Sequence, residues 1–263
     1  MDHRFRSGEL ELAAHLARPA TSDSAGLPGL ALLHGFPSGA GGAPKSAHTY
    51  PQLADRIATE LGWVVLALNL RGCRPSEGQF SLQGWLDDLH AAIDHLLVDQ
   101  GASRAWCAGF GTGGALGICA GAEDPRIAGV AAIGAPADFD DWARRPARLL
   151  AHAREVGVID DPDWPPSMDA WSKQLREIRP LDAATRLAPR PLLVMHGSQD
   201  EVVPDFDARL LADAHGGAEL RFVAGAGHQL RHDPRAVAVL LGWLDRQKHA
   251  LPAPLRTAPS GPG

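Results

Sequence analysis

Short apolar runs recur along the chain at 30–33, 63–68, 104–108, 127–133, 191–195 and 219–224. Between them, apolar positions fall at helical spacing: Leu53, Ile57 and Leu61; then Leu82, Leu86, Leu89, Ile93 and Leu96; then Val237, Leu240, Leu241 and Leu244. Runs of strand length alternating with helical stripes predict an α/β protein, with a mostly parallel sheet covered by helices on both faces. Leu10 and Leu12 alternate with polar neighbours near the start, which predicts an antiparallel hairpin at one edge. No internal repeat is present.

The interval between Gly134 and Pro191 is too long for a simple crossover. It carries Trp142, Trp164, Trp171, Met168 and a cluster of prolines at 162, 165 and 166, so 137–188 reads as a helical lid above the C-terminal edge of the sheet. Ligands of open α/β sheets bind at that edge. Tryptophans over a cleft suit a bulky, partly apolar substrate, and packing within the lid is the competing explanation for each.

Length and charge narrow the class. At 263 residues the chain can bury one sizeable core, and a single domain over 1–248 is expected, with 249–263, rich in proline, alanine, glycine and serine, as a disordered tail. The formal net charge of −6 is spread over interleaved acidic and basic residues, which argues against nucleic acid or an anionic membrane as partner. No segment approaches the roughly 20 continuous apolar residues of a membrane span. The three cysteines, Cys73, Cys107 and Cys119, make no even disulfide framework, and no signal-peptide pattern opens the chain, so a reducing cytoplasm is the expected compartment. No cofactor and no metal are expected.

Four motifs carry the chemistry. Strand 30–33 runs into His34-Gly35-Phe36-Pro37, and strand 104–108 runs into Gly109-Phe110-Gly111-Thr112-Gly113-Gly114, which opens a helix of small residues. Leu192–Gly197 leads to Ser198-Gln199-Asp200, and Phe222–Gly227 leads to His228. In kind and in order these resemble the α/β-hydrolases of the small-lid, serine-aminopeptidase-like type, over residues 1–248. That resemblance implies an eight-stranded, mostly parallel sheet, Asp200 and His228 as acid and base, and an oxyanion hole from the backbone N–H groups of Phe36 and Thr112. It also implies a serine where this chain has Gly111, at the centre of the GxSxG nucleophile elbow. An elbow with glycine at its apex has no hydroxyl to attack anything.

Other roles follow from the same layout. Phe36 and Phe110 flank the elbow and are expected to wall a pocket, with core packing as the alternative. His34, Phe110, Trp142, Trp164, Met168 and Trp171 form the expected substrate-binding set, although hydrogen bonds that hold the oxyanion loop are the simpler role for His34. Asp138, Asp140 and Asp141 read as a solvated run at the lid entrance.

No neighbour readily replaces the missing serine. Thr112 sits in the first turn of the elbow helix, pointing away from the apex, and Cys107 and Cys119 fall inside a strand and a helix as small buried residues. Cys73 lies between Arg71 and Arg74, cations expected to lower its thiol pKa, but beyond a different strand. A water activated by His228 is the remaining nucleophile. Proton abstraction beside a carbonyl or imine needs none, because the same oxyanion donors stabilise an enolate. On its altered elbow, size and lid, the chain resembles the peptide epimerases of bottromycin biosynthesis, which invert an aspartate next to a thiazoline in a modified ribosomal peptide. The resemblance implies a modified peptide or another bulky apolar molecule as substrate. A hydrolase with altered elbow and a noncatalytic binder are the alternatives.

Overall fold

Strands β3 (Pro28–Leu33), β4 (Val64–Leu68), β5 (Arg104–Phe110), β6 (Ile127–Ile133) and β7 (Leu192–Gly197) are nearly continuous apolar runs, and almost every residue in them is buried. The computed structural model describes residues 2–20, 26–37 and 42–249. Apart from His249, which closes the last helix, the tail expected at 249–263 lies outside the described residues. With β1 (Asp2–Ser7), β2 (Leu10–Ala17) and β8 (Glu219–Val223), the strands form one eight-stranded sheet in the order β1-β2-β4-β3-β5-β6-β7-β8. The β1–β2 and β2–β4 pairings are antiparallel and the others parallel, so the expected edge hairpin joins an otherwise parallel sheet.

Successive strand residues point to opposite faces, and each face has its own core. Leu30, Leu32, Val65, Trp106, Ile133 and Met195 pack with α1 (Gly42–Leu61) and α9 (Pro234–His249). Ala31, Leu33, Leu66, Cys107, Val130 and Val194 pack with α2 (Leu82–Asp94), α3 (Thr112–Glu123) and α8 (Asp205–His215). Ser81 caps α2, its hydroxyl accepting from Gly84 N–H at 3.0 Å.

The span expected to form the lid contains α4 (Asp140–Arg144), α5 (Pro146–Glu155), α6 (Met168–Glu177) and α7 (Pro180–Leu187). The last of these buries Ala183, Ala184 and Leu187 and packs on α3 and α8, within the helical layer against the sheet. The segment above the site is therefore α4 to α6. Gly72 is where the lid touches down: a Cβ there would stand 2.2 Å from the Val158 carbonyl oxygen, and Phe80 N–H donates to that same oxygen at 2.9 Å. Among the described residues no helix is long and apolar enough to cross a membrane.

Candidate active site

The turn at 111 has the geometry of an elbow. Strand β5 ends at Phe110 and α3 begins at Thr112, leaving one residue to reverse the chain. Gly111 makes that turn at φ 54° and ψ −126°, with its N–H bonded to Ile133 O at 2.8 Å. L-residues rarely adopt this conformation. The neighbouring glycines are required by space: a Cβ on Gly109 would fall 2.3 Å from Gly113 C, and one on Gly113 would fall 2.4 Å from His34 O. Gly111 itself is not crowded, since a Cβ there would meet nothing closer than 3.6 Å, and one of its neighbours at that distance is His228 Nε2.

His228 and Asp200 come from loops after adjacent strands, and those loops are stitched together. Gln199 N–H donates to Ala226 O at 2.9 Å, and Gly225 N–H donates to the Ser198 hydroxyl at 2.8 Å. Gly197 permits the approach, because a Cβ on it would lie 2.4 Å from Ala226 O. His228 Nδ1 then donates to Asp200 Oδ2 at 2.8 Å, which fixes the ring with Nε2 facing Gly111. The Asp200 carboxyl is fully buried, and its other oxygen accepts from Val202 and Val203 N–H, both at 2.9 Å. Burial opposes its charge, but the hydrogen bonds from His196, His228 and those two amides outweigh it and hold the carboxyl well below the usual range.

Phe36 and Thr112, the two residues expected to supply oxyanion donors, both line the cleft in front of Gly111, at the N-terminus of the twelve-residue helix α3. His34 lies behind them. Its Nδ1 donates to Gly35 O at 2.8 Å and its Nε2 accepts from Leu70 N–H at 3.2 Å, so both ring nitrogens serve the loop and neither faces the cleft. Burial keeps this ring neutral, lowering its pKa.

The cleft measures about 480 Å³. Asp138, Asp140, Asp141 and Asp207 line it, with Arg144 and His152 from the lid. The Asp207 carboxyl accepts from Ala137 N–H at 3.1 Å. Burial raises its pKa, and the nearby Asp138 and Asp141 add to the rise. Sequence reasoning missed Asp207 and His152, whose places depend on α8 and α5 packing over the cleft. The solvated run expected at 138–141 is present, with Asp140 paired to Arg179 at 2.9 Å, but all three carboxylates also face the ligand space.

Most of the expected aromatic wall is elsewhere. Trp142 lines the cleft, its ring 5.2 Å from that of Phe36. Trp171 is buried, and its indole N–H, like that of Trp164, donates to Phe80 O, at 3.2 and 3.1 Å respectively. These two tryptophans clamp the lid to the loop before α2. Met168 and Trp164 border a separate groove between α5 and the proline cluster. Phe110 points into the α1 side of the core, its ring 5.5 Å from that of Tyr50. None of Phe110, Trp164, Met168 and Trp171 touches the cleft in front of Gly111.

The reactivity expected of Cys73 is also corrected. Burial pushes its thiol pKa up, and Asp88 adds to the effect. Arg71 is bound to Asp88 at 2.7 Å and Arg74 pairs with Asp160, so neither guanidinium activates the thiol. Cys107 and Cys119 are buried as expected, the latter pushed up to about 12.

A sequence model of the Alpha/beta hydrolase family matches residues 30–240. The chain belongs to that family. Solved structures share its fold: Est1E from Butyrivibrio proteoclasticus at 20% identity and TM-score 0.73, covering 95% of this chain and 99% of that one; a proline iminopeptidase from Mycobacterium smegmatis at 20% identity and TM-score 0.65, covering 95% and 99%; and the alpha/beta hydrolase GrgF from Penicillium sp. sh18 at 20% identity and TM-score 0.69, covering 95% and 98%. Identity at this level shows the fold alone. A comparison with proteins of curated function found no match. Within this alpha/beta hydrolase, His228 is hydrogen-bonded to Asp200 and faces the turn at Gly111, whose apex carries hydrogen in place of a side chain.

Proposed function

We propose that this alpha/beta hydrolase is a proton-transfer enzyme, an isomerase or epimerase acting at a carbon beside a carbonyl or imine, with no acyl-enzyme. The observation that carries the reading is the open space between Gly111 and His228: Nε2 stands 3.6 Å from the place of an absent Cβ, so the base reaches a substrate atom directly. Nε2 takes the α-proton, and the C–H electron pair moves into the carbon–carbon bond of an enolate or its nitrogen counterpart. The negative charge gathers on the former carbonyl oxygen or imine nitrogen, beside the Phe36 and Thr112 N–H groups. Asp200 stabilises the imidazolium that forms; a solvent water at the opposite face gives its proton to the carbon, and the hydroxide left behind takes the imidazolium proton, which completes the inversion and regenerates the base.

The finest form of this reading is epimerisation of an aspartate beside a thiazoline in a bottromycin-type peptide, where the C=N bond acidifies the α-proton. His228 or the substrate's own carboxylate then carries the proton. Four carboxylates line the cleft, so the substrate's carboxylate is best placed beside Arg144, the guanidinium on the same lining.

The same space favours a second reading, ester or peptide hydrolysis by a water held at Nε2. General-base help is worth roughly 10²–10⁴-fold, without the gain of a covalent intermediate. Incubation with a thiazoline-bearing aspartyl peptide in D₂O, and with p-nitrophenyl butyrate in H₂¹⁸O, separates the two by mass spectrometry. Deuterium at an intact α-carbon supports proton transfer. Cleavage with ¹⁸O in the acid product, and no exchange, supports hydrolysis; binding without any change supports neither.

A further inference from the structure

Asp200 serves a second histidine that the reaction above does not use. His196, the fifth residue of β7, has no solvent exposure, and its Nε2 lies 3.0 Å from Val203 O and 3.3 Å from Asp200 Oδ2. A carbonyl oxygen only accepts, so Nε2 carries the hydrogen and directs it between the carbonyl and the carboxylate. Oδ2 is the same oxygen that accepts from His228 at 2.8 Å. One carboxylate oxygen is thus held between an inner, buried ring and an outer ring that faces the cleft.

The inner ring is a poor choice for packing alone. Its Nδ1 is buried with no hydrogen-bond partner, in a strand whose other residues are Leu192, Leu193, Val194, Met195 and Gly197. An aliphatic residue would fill the place without an unsatisfied nitrogen. Of the charged and titratable groups, Asp200, on the loop that follows its own strand, and Asp207 on α8 act on the His196 ring, while His228 meets it through Asp200. Burial disfavours the charged ring, yet the Asp200 and Val203 hydrogen bonds outweigh this and raise its pKa.

We propose that His196 is a positioning residue for the outer base: by donating to Asp200 Oδ2 it sets the angle of the carboxylate and the share of its negative charge that His228 experiences. The proposal rests on the reading of His228 as the base. Removing the inner donor leaves more of the carboxylate charge facing His228, which favours the protonated outer ring. Restoring an N–H at the same place reverses the change. The glutamine amide nitrogen occupies the position of Nε2, whereas the asparagine amide reaches only as far as Nδ1.

The test is a histidine-ring NMR titration of the full chain, with His228 assigned from His228→Gln. In His196→Phe, the midpoint of the His228 titration moves up by about 0.5–1 pH unit relative to wild type, and its Nδ1 proton resonance shifts. His196→Asn, which keeps a polar side chain, gives the same result if the phenylalanine variant does not fold. His196→Gln returns both signals to within about 0.3 unit of wild type. A folded His196→Phe or His196→Asn with His228 unmoved overturns the proposal, as does a glutamine variant that shifts as far as the phenylalanine one. No substrate is needed, so this result and the deuterium-exchange result stand or fall separately.

Discussion

His228 Nε2 lies 3.6 Å from the point where a Cβ on Gly111 would stand. A hydroxyl on that Cβ would come within hydrogen-bond reach of the imidazole, which is the relation of nucleophile to base in a serine hydrolase. The turn and the hydrogen-bonded His228–Asp200 pair stand together, and the turn itself carries no side chain.

The glycines of the elbow differ in what they tolerate. Gly109→Ala drives a Cβ into backbone atoms at 2.3 to 2.5 Å, which cannot be relieved by a rotamer change. It is expected to lower stability by about 3 kcal/mol or more. Gly111→Ala meets only backbone strain and is expected to cost about 1–2 kcal/mol. Urea denaturation of both variants checks the order; equal losses would mean that the apex is as crowded as its flank.

Acid stability reports on Asp200. Its carboxyl is held below the ordinary value, so its contribution is present above about pH 4 and is lost as the pH falls through the lower folded value. His196 has the opposite sign: its pKa is raised, so its contribution is complete below about pH 6.5 and fades as the pH rises through the folded value. Asp200→Asn removes the charge common to both and should flatten the stability profile on each side. Urea midpoints measured from pH 3 to 8 provide the comparison, and an unchanged slope below pH 4 would contradict it.

The lid is held by its tryptophans. Trp164→Phe and Trp171→Phe each remove one N–H from Phe80 O and are expected to lower stability by about 1 kcal/mol. Neither residue lines the cleft, so ligand affinity should stay within about twofold of wild type, in contrast to Trp142→Ala. Calorimetric titration against thermal melts distinguishes anchors from contacts.

The fold was legible because its signals are local. Short apolar runs at 104–108 and 191–195 marked the inner strands that span Arg104–Phe110 and Leu192–Gly197, and Gly109, Gly113 and Gly197 stand where their own neighbours leave no room for a Cβ. The position of Asp200 and His228 on the loops after β7 and β8 was legible for the same reason, and the fold brings the two side chains to 2.8 Å. The lid aromatics were misplaced because the partner that decides their role, Phe80 O, is 84 and 91 residues distant. Cys73 was misread for a similar reason: its arginine neighbours are adjacent in sequence, whereas its burial and Asp88 come from tertiary packing. His196 had one visible signal, a titratable ring within a strand otherwise apolar or glycine, four residues before the acid.

Intact-protein mass spectrometry with a fluorophosphonate tests the proposed reading of Gly111 as a vacant nucleophile position most directly, since the reagent phosphonylates a serine activated by a histidine–aspartate pair. The wild-type chain should remain unlabelled, and Gly111→Ser should gain one adduct at residue 111 that is lost again in Gly111→Ser/His228→Gln. Rapid adduct formation on another side chain of the wild type would contradict the account, and so would a folded Gly111→Ser that stays inert.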